Sequence, residues 1–141
     1  MTKPYRTTRR VEFADTDLAG IMHFANFFRY MESAEAEFLR SLGLSVKLGW
    51  EGQQIGFPRV AASCDYLKPA QFEDVIEIAV HLQKIGTKSL TWAFEFQREG
   101  ELLARGQVSS VCCQVAADRK IVSIELPATL RKVLETASGF A

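Results

Sequence analysis

With 141 residues, 48% of them hydrophobic and 24% charged, the chain can fill one core of ordinary size and leaves no room for a second catalytic unit, so a single domain over residues 1–141 is expected. Its 17 Lys and Arg balance 17 Asp and Glu, which leaves no net field to draw in nucleic acid or an anionic membrane. No apolar run approaches the ~18 residues of a membrane span and none follows the charges of MTKPYRTTRR, so no leader is expected and the cytoplasm is the default compartment.

The first element is a strand over Tyr5 to Ala14, followed by the polar, glycine-containing turn DTDLAG. From Phe24 the apolar residues Phe27, Phe28, Met31, Ala34, Phe38, Leu39 and Leu42 recur at amphipathic helical spacing, with Gly43 placed to end the helix. A stripe with this many phenylalanines needs a wide apolar surface, and a sheet face supplies one. After an irregular stretch to Gly56, Pro58 to Lys68 reads as a strand. DVIEIAVHLQKI, KSLTWAFEFQRE, LLARGQVSSVCCQVA and KIVSIEL then read as long strands parted by short breakers, an antiparallel meander. Pro127 opens a short terminal helix, ATLRKVLETA. The order implies an α+β fold in which a sheet wraps one long helix. Such a sheet has edges to protect, and pairing two copies edge to edge covers them, so a homodimer or a homotetramer is expected.

Cys64, Cys112 and Cys113 are odd in number and two are adjacent, so they read as core thiols rather than disulfides. His23 and His81 lie far apart and there is no Cys-x-x-Cys, so no metal site is expected.

Chemistry concentrates in FADTDLAGIMHFANFFRYMESAEAEFLR, residues 13 to 40, where two carboxylates, a glycine and a histidine precede the helix. A carboxylate before a helix is commonly only a cap or turn residue. It can also serve as a nucleophile or as a base acting on water, with unpaired backbone N–H groups of the helix start as an oxyanion stabiliser. The segment resembles the 4-hydroxybenzoyl-CoA thioesterase family and its broader acyl-CoA thioesterase branch, whose signature D-x-D-x-x-G-[IV]-x-x-x-x-N-[YF] is matched by Asp15, Asp17, Gly20, Ile21, Asn26 and Phe27. The resemblance extends through GFPRVAASCDYLKPAQFEDVIEI and the later strands.

That resemblance implies a hotdog fold and hydrolysis of an acyl-CoA thioester without a cofactor, CoA being part of the substrate. It assigns catalysis to Asp17, as nucleophile or as base, and oxyanion stabilisation to the backbone amide of Phe24, with Asp15 in a structural role. His23 stands where many relatives carry an aromatic residue; it either assists the carbonyl or leaving thiolate, or is bonded to backbone. Gly20 allows a tight turn or close ligand approach, and Asn26 matches the signature. Glu32 matches a helix position facing the acyl pocket, while Glu35 and Glu37 are expected on a solvated or interface side. Phe57 occupies a position where a hydroxyl residue occurs in the 4-hydroxybenzoyl enzyme, an argument against that acyl group. Lys88 and Ser89 match a CoA-contacting stretch, although Gly86-Thr87 replaces the arginine pair before it. Trp92 and the strand phenylalanines are expected in the core, and His81 is expected to be structural. Two other readings stand beside hydrolysis: a hotdog hydratase or dehydratase using His23 and Glu37, and a non-catalytic acyl-CoA-binding module.

Overall fold

The structure, a computed structural model, describes residues 3–140. Strand β1 is Tyr5–Arg10, helix α1 Asn26–Ser41, and strands β2 Lys47–Trp50 and β3 Gln53–Gly56 form a hairpin. Strands β4 Arg59–Tyr66, β5 Val75–Ile85, β6 Ser89–Arg98 and β7 Glu101–Val111 follow, then the short β8 Cys113–Val115 and β9 Ile121–Ser123, and finally helix α2 Ala128–Ser138. The large sheet has the order β1-β5-β6-β7-β4 and all its pairs are antiparallel. A second sheet has the order β2-β3-β8-β9.

Strand β6 shows why these segments form strands: Leu90, Trp92, Phe94 and Phe96 are buried while the residues between them are only partly covered, the period of two that gives a sheet one apolar face. Helix α1 crosses that face. Its buried residues Phe27, Tyr30, Met31, Ala34, Phe38 and Leu39 keep helical spacing, and each large apolar side chain so buried contributes roughly 1.5–3 kcal/mol. Phe27 meets the Phe96 ring at 5.2 Å and Phe38 meets Trp92 at 5.6 Å, both edge to face. Between them Met31 lies against Gly106, where a β-carbon would run into its thioether. The helix stops at Gly43, whose φ of +74° lets the N–H groups of Gly43 and Leu44 turn back to the carbonyls of Arg40 and Leu39.

Several boundaries differ from those expected. The first strand ends at Arg10, because the 3-10 turn Phe13–Asp15 diverts the chain, with Glu12 and Asp15 exchanging backbone and side-chain bonds. The stretch before Gly56 holds the β2–β3 hairpin. The segment LLARGQVSSVCCQVA is two strands in two sheets: at Cys112, N–H bonds to Lys88 O and the carbonyl takes Ile124 N–H, which leads the chain out of one ladder into the other. Only Ile121–Ser123 of KIVSIEL is a strand. The meander holds for β5, β6 and β7, whereas β4 closes on β7 and not on its sequence neighbour β5. Cys112 and Cys113 are buried and Cys64 is half-buried, all three as free thiols. Among the described residues no helix is long and apolar enough to cross a membrane, and no group of three or more His, Cys, Asp or Glu is placed to hold a metal.

Candidate active site

Eight residues carry the chain from Asp17 to the turn that starts α1, and main-chain bonds fix their path. Asp17 N–H bonds to Ile21 O and Gly20 N–H to Asp17 O, closing a turn in which Gly20 takes φ +83°. Met22 N–H bonds to Ala70 O and His23 N–H to Asp15 O. Asp17 is half-buried; its Oδ1 accepts Ala19 N–H at 2.9 Å, while Oδ2 has no partner among the described residues. One carboxylate oxygen is thus held and the other left open.

The two aspartates divide as their partners dictate. Asp15 Oδ2 accepts both Glu12 N–H at 2.9 Å and the Tyr30 hydroxyl at 2.7 Å, and its carbonyl accepts the Asn26 side-chain amide at 2.8 Å. Asp15 therefore ties the loop to α1. Burial and then the Asp15 carboxylate push the Tyr30 phenol well above its ordinary range, which keeps it a donor. Asn26 spends its amide on this anchor and is absent from the cleft wall.

The regular helix begins at Asn26, two residues after the expected start, because Phe24 and Ala25 form a turn. Ala25 N–H is met by His23 Nδ1 at 3.1 Å, Asn26 N–H by His23 O, Phe27 N–H by Phe24 O and Phe28 N–H by Ala25 O. Phe24 N–H is left without an acceptor among the described residues. His23 is exposed, stacks on the Phe24 ring at 4.7 Å and uses its Nδ1 lone pair on this backbone bond.

Asp17 and Phe24 line one open cleft of about 430 Å³ together with Ile21, Met22, Phe27 and the segment Tyr66 to Pro69. The expected site lacked Tyr66 and Lys68. The Tyr66 hydroxyl donates to Phe24 O at 2.9 Å, its ring meets Phe27 edge to face at 5.3 Å, and burial, with the Cys64 thiol adding to it, pushes the phenol up to about 12. Lys68 pairs with Glu101 at 2.7 Å, and Glu101 also binds Arg98 at 2.8 Å. The alternation of CDYLK puts Tyr66 on the helix side of β4, a signal present in the sequence.

Other expected site residues lie elsewhere. Glu32 is exposed and outside the cleft. Glu35 is not solvated as expected but 2% exposed, 3.1 Å from the Arg59 guanidinium, and burial pushes its carboxyl up to about 7 against the opposing pull of Arg59. Glu37 is partly covered, with Oε2 buried and unpaired. Trp92 is fully buried, as expected. His81 faces Glu95 at 3.6 Å on the outer side of the sheet. Strand register shows the main separation. Arg59 pairs with Ser110 and Ser89 with Val111, whereas Tyr66 pairs with Ala104 and Arg98 with Glu101. Phe57, Lys88 and Ser89 therefore gather at one end of the large sheet and the Asp17 cleft at the other, roughly 20–30 Å away at about 3.3 Å per residue.

The thioesterase-like superfamily matches residues 11–134 of the chain. The chain belongs to that superfamily. A putative esterase of Aquifex aeolicus is 35% identical over 122 residues, covering 86% of this chain and 91% of its own. The 1,4-dihydroxy-2-naphthoyl-CoA hydrolase of Nostoc punctiforme is 31% identical over 128 residues, covering 91% and 84%. Among solved structures a gentisyl-coenzyme A thioesterase superposes with a TM-score of 0.77 at 28% identity, covering 90% of this chain and 99% of that one. This member has the α+β hotdog fold, its central helix packed on the antiparallel sheet, and it is a thioester hydrolase.

Proposed function

We propose that the chain hydrolyses an acyl-CoA thioester to the free acid and CoA, with Asp17 as its catalytic carboxylate and the Phe24 amide as oxyanion donor. One observation carries this reading: a carboxylate oxygen and a backbone N–H, both without partners among the described residues, line the same cleft. A tetrahedral oxyanion needs a donor fixed before the reaction, and an N–H at a helix start, aligned with the helix dipole, meets that need. Tyr66, bonded to Phe24 O, steadies the peptide that follows that N–H. His23 uses Nδ1 to order the helix start through Ala25 N–H, and neither it nor Glu37 lines the cleft, which disfavours a hydratase. Asp17 Oδ2 either attacks the carbonyl carbon or deprotonates water. Single-turnover hydrolysis in heavy-oxygen water reveals the anhydride route when water attacks its Asp17 Cγ, for the label then stays in the enzyme and the acid leaves unlabelled; attack at the acyl carbon labels the acid alone, as direct attack of water on the thioester does.

The working unit is a dimer built on the free edge of β4, one hotdog domain from each chain, which in turn can associate as a tetramer. Strand β4 has β7 on one side only, and all its residues but Cys64 are exposed. Antiparallel pairing centred on the small run Ala61-Ala62-Ser63 places residues 57–59 of one copy beside residues 65–67 of the other, about 5 Å across the strands. Phe57, Lys88 and Ser89 of the second copy then approach the Asp17 cleft, where the lysine can meet CoA phosphate. Three free thiols fit a reducing cytoplasm.

The test is release of thiol from a panel of acyl-CoAs by the wild type and by Asp17→Asn and Asp17→Ala. Removing the carboxylate lowers kcat by roughly 10²–10⁴-fold while acyl-CoA binding persists. Unchanged hydrolysis in both variants would falsify the assignment, and binding without turnover by the wild type supports a binding module.

A further inference from the structure

The Glu35–Arg59 pair has no part in the chemistry at Asp17, and its burial needs a reason. Apolar residues surround Glu35: Leu39, Leu44, Leu48, Phe57 and Trp92 line the small cavity it borders. In such a place a leucine serves stability as well as an ion pair does, because the lost hydration of two charges offsets their attraction. The pair does fix a guanidinium. Arg59 Nη1 stands 3.1 Å from Glu35 Oε2 and donates to Phe57 O at 3.1 Å, so one nitrogen is tethered at two points. Nε and Nη2 have no acceptor among the described residues, and the side chain is 31% exposed. The result is a planar donor fork, held in place, unspent and open to one side, with the Phe57 backbone bound to its base.

Within one chain the fork lies at the far end of the sheet from Asp17. Across the β4 edge it is one strand away from Tyr66, whose hydroxyl touches the Phe24 peptide of the cleft. Both side chains project toward α1, Arg59 to Glu35 and Tyr66 to the Phe27 ring, so they share one face of the joined sheet.

We propose that Arg59 of one copy, positioned by Glu35, binds a carboxylate on the acyl group being cleaved at Asp17 of the other copy, so that the enzyme selects acyl-CoAs whose acyl part ends in an acid. This rests on the thioesterase and dimer readings above. Guanidinium and carboxylate match as paired donors and paired acceptors, a geometry that neither lysine nor a neutral group reproduces. The apolar and aromatic walls of the cleft take the body of the acyl group.

The experiment compares matched substrates in the purified protein: glutaryl-CoA with pentanoyl-CoA, adipoyl-CoA with hexanoyl-CoA, and 4-carboxybenzoyl-CoA with 4-methylbenzoyl-CoA. The readout is the ratio of kcat/KM within each pair. The wild type favours the acid in at least one pair by about tenfold or more, the worth of one charge-assisted contact. Arg59→Met lowers that ratio by roughly 10–100-fold, and Arg59→Lys lowers it less. Because Arg59→Met leaves the Glu35 carboxylate alone in the core, the double variant Glu35→Gln/Arg59→Met is measured beside it and gives the same loss of ratio. Subunit mixing tests the crossing: a dimer of one Asp17→Asn copy and one Arg59→Met copy has a single site with both Asp17 and Arg59, and it regains the wild-type ratio. A ratio that stays at the variant value in the mixed dimer overturns the crossing. A wild-type ratio near one in every pair, or one that Arg59→Met leaves in place, overturns the role of Arg59. Turnover of no substrate overturns instead the thioesterase reading on which this rests.

Discussion

Glu35 makes the stability of this protein depend on pH in a direction opposite to most paired carboxylates. Its folded value of about 7 lies above the ordinary 4.5, so the folded chain holds a proton that the unfolded chain releases. The stabilisation is complete below about pH 4.5 and is lost as the pH rises through about 7. A displacement from 4.5 to about 7, at about 1.4 kcal/mol per pH unit, amounts to about 3 kcal/mol. Glu35 is 2% exposed, so solvent does little to screen it. Substituting Glu35→Gln keeps the shape and an acceptor for Arg59 but removes the titration. Urea unfolding of wild type and variant at intervals from about pH 4.5 to 8 isolates the effect, because every other titrating group is common to both. The wild type should lose about 3 kcal/mol relative to the variant over that range, with the steepest change between the two values, at about pH 6, and a plateau once the pH has passed about 7. Parallel profiles would refute the reasoning. A wild type that gains on the variant as pH rises would show that the guanidinium outweighs burial.

Two further perturbations test the scaffold. Tyr30→Phe removes the hydroxyl that donates to Asp15 at 2.7 Å; it should cost about 1.5–3 kcal/mol, the worth of a hydrogen bond to a charged group. It should also lower kcat, since Asp15 anchors the loop through His23 N–H and Asn26; full stability by thermal unfolding would contradict the anchor. Gly106→Ala drives a β-carbon into the Met31 thioether beneath α1 and should cost about 1–3 kcal/mol by overpacking. Adding Met31→Ala should give a double-mutant coupling of about 1 kcal/mol or more, whereas additive losses would place the strain elsewhere.

The fold was legible wherever one side of an element meets the core. The stripe Phe27, Met31, Phe38 and the alternation of Trp92, Phe94 and Phe96 are one-dimensional records of burial, and both elements stand as expected. The exit of the chain at Cys112 was not legible, because its cause is a pair of bonds to Lys88 and Ile124, remote or nearby residues whose composition is ordinary for a strand. Glu35 was misjudged for a similar reason: helical spacing puts it in line with buried Met31, Phe38 and Leu39, but its type argued for solvent, and the partner that lets it be buried, Arg59, lies 24 residues further on. The placement of Asp17 and Phe24 in one cleft follows from the local order of turn and helix, so it was readable. That Tyr66 and Lys68 complete the cleft depends on Met22 bonding Ala70, a crossing that no local pattern encodes.

The loop from Asp17 to Phe24 keeps its path by bonds between backbone groups, Asp17 with Ile21, Gly20 with Asp17, Met22 with Ala70 and His23 with Asp15. Such bonds ask little of the side chains they carry. Ile21, Met22 and Phe24, which wall the cleft and take part in that path only through their backbone, can therefore change side chain while the loop keeps its course. Selection can thus reshape the walls of the cleft without redirecting the loop between them.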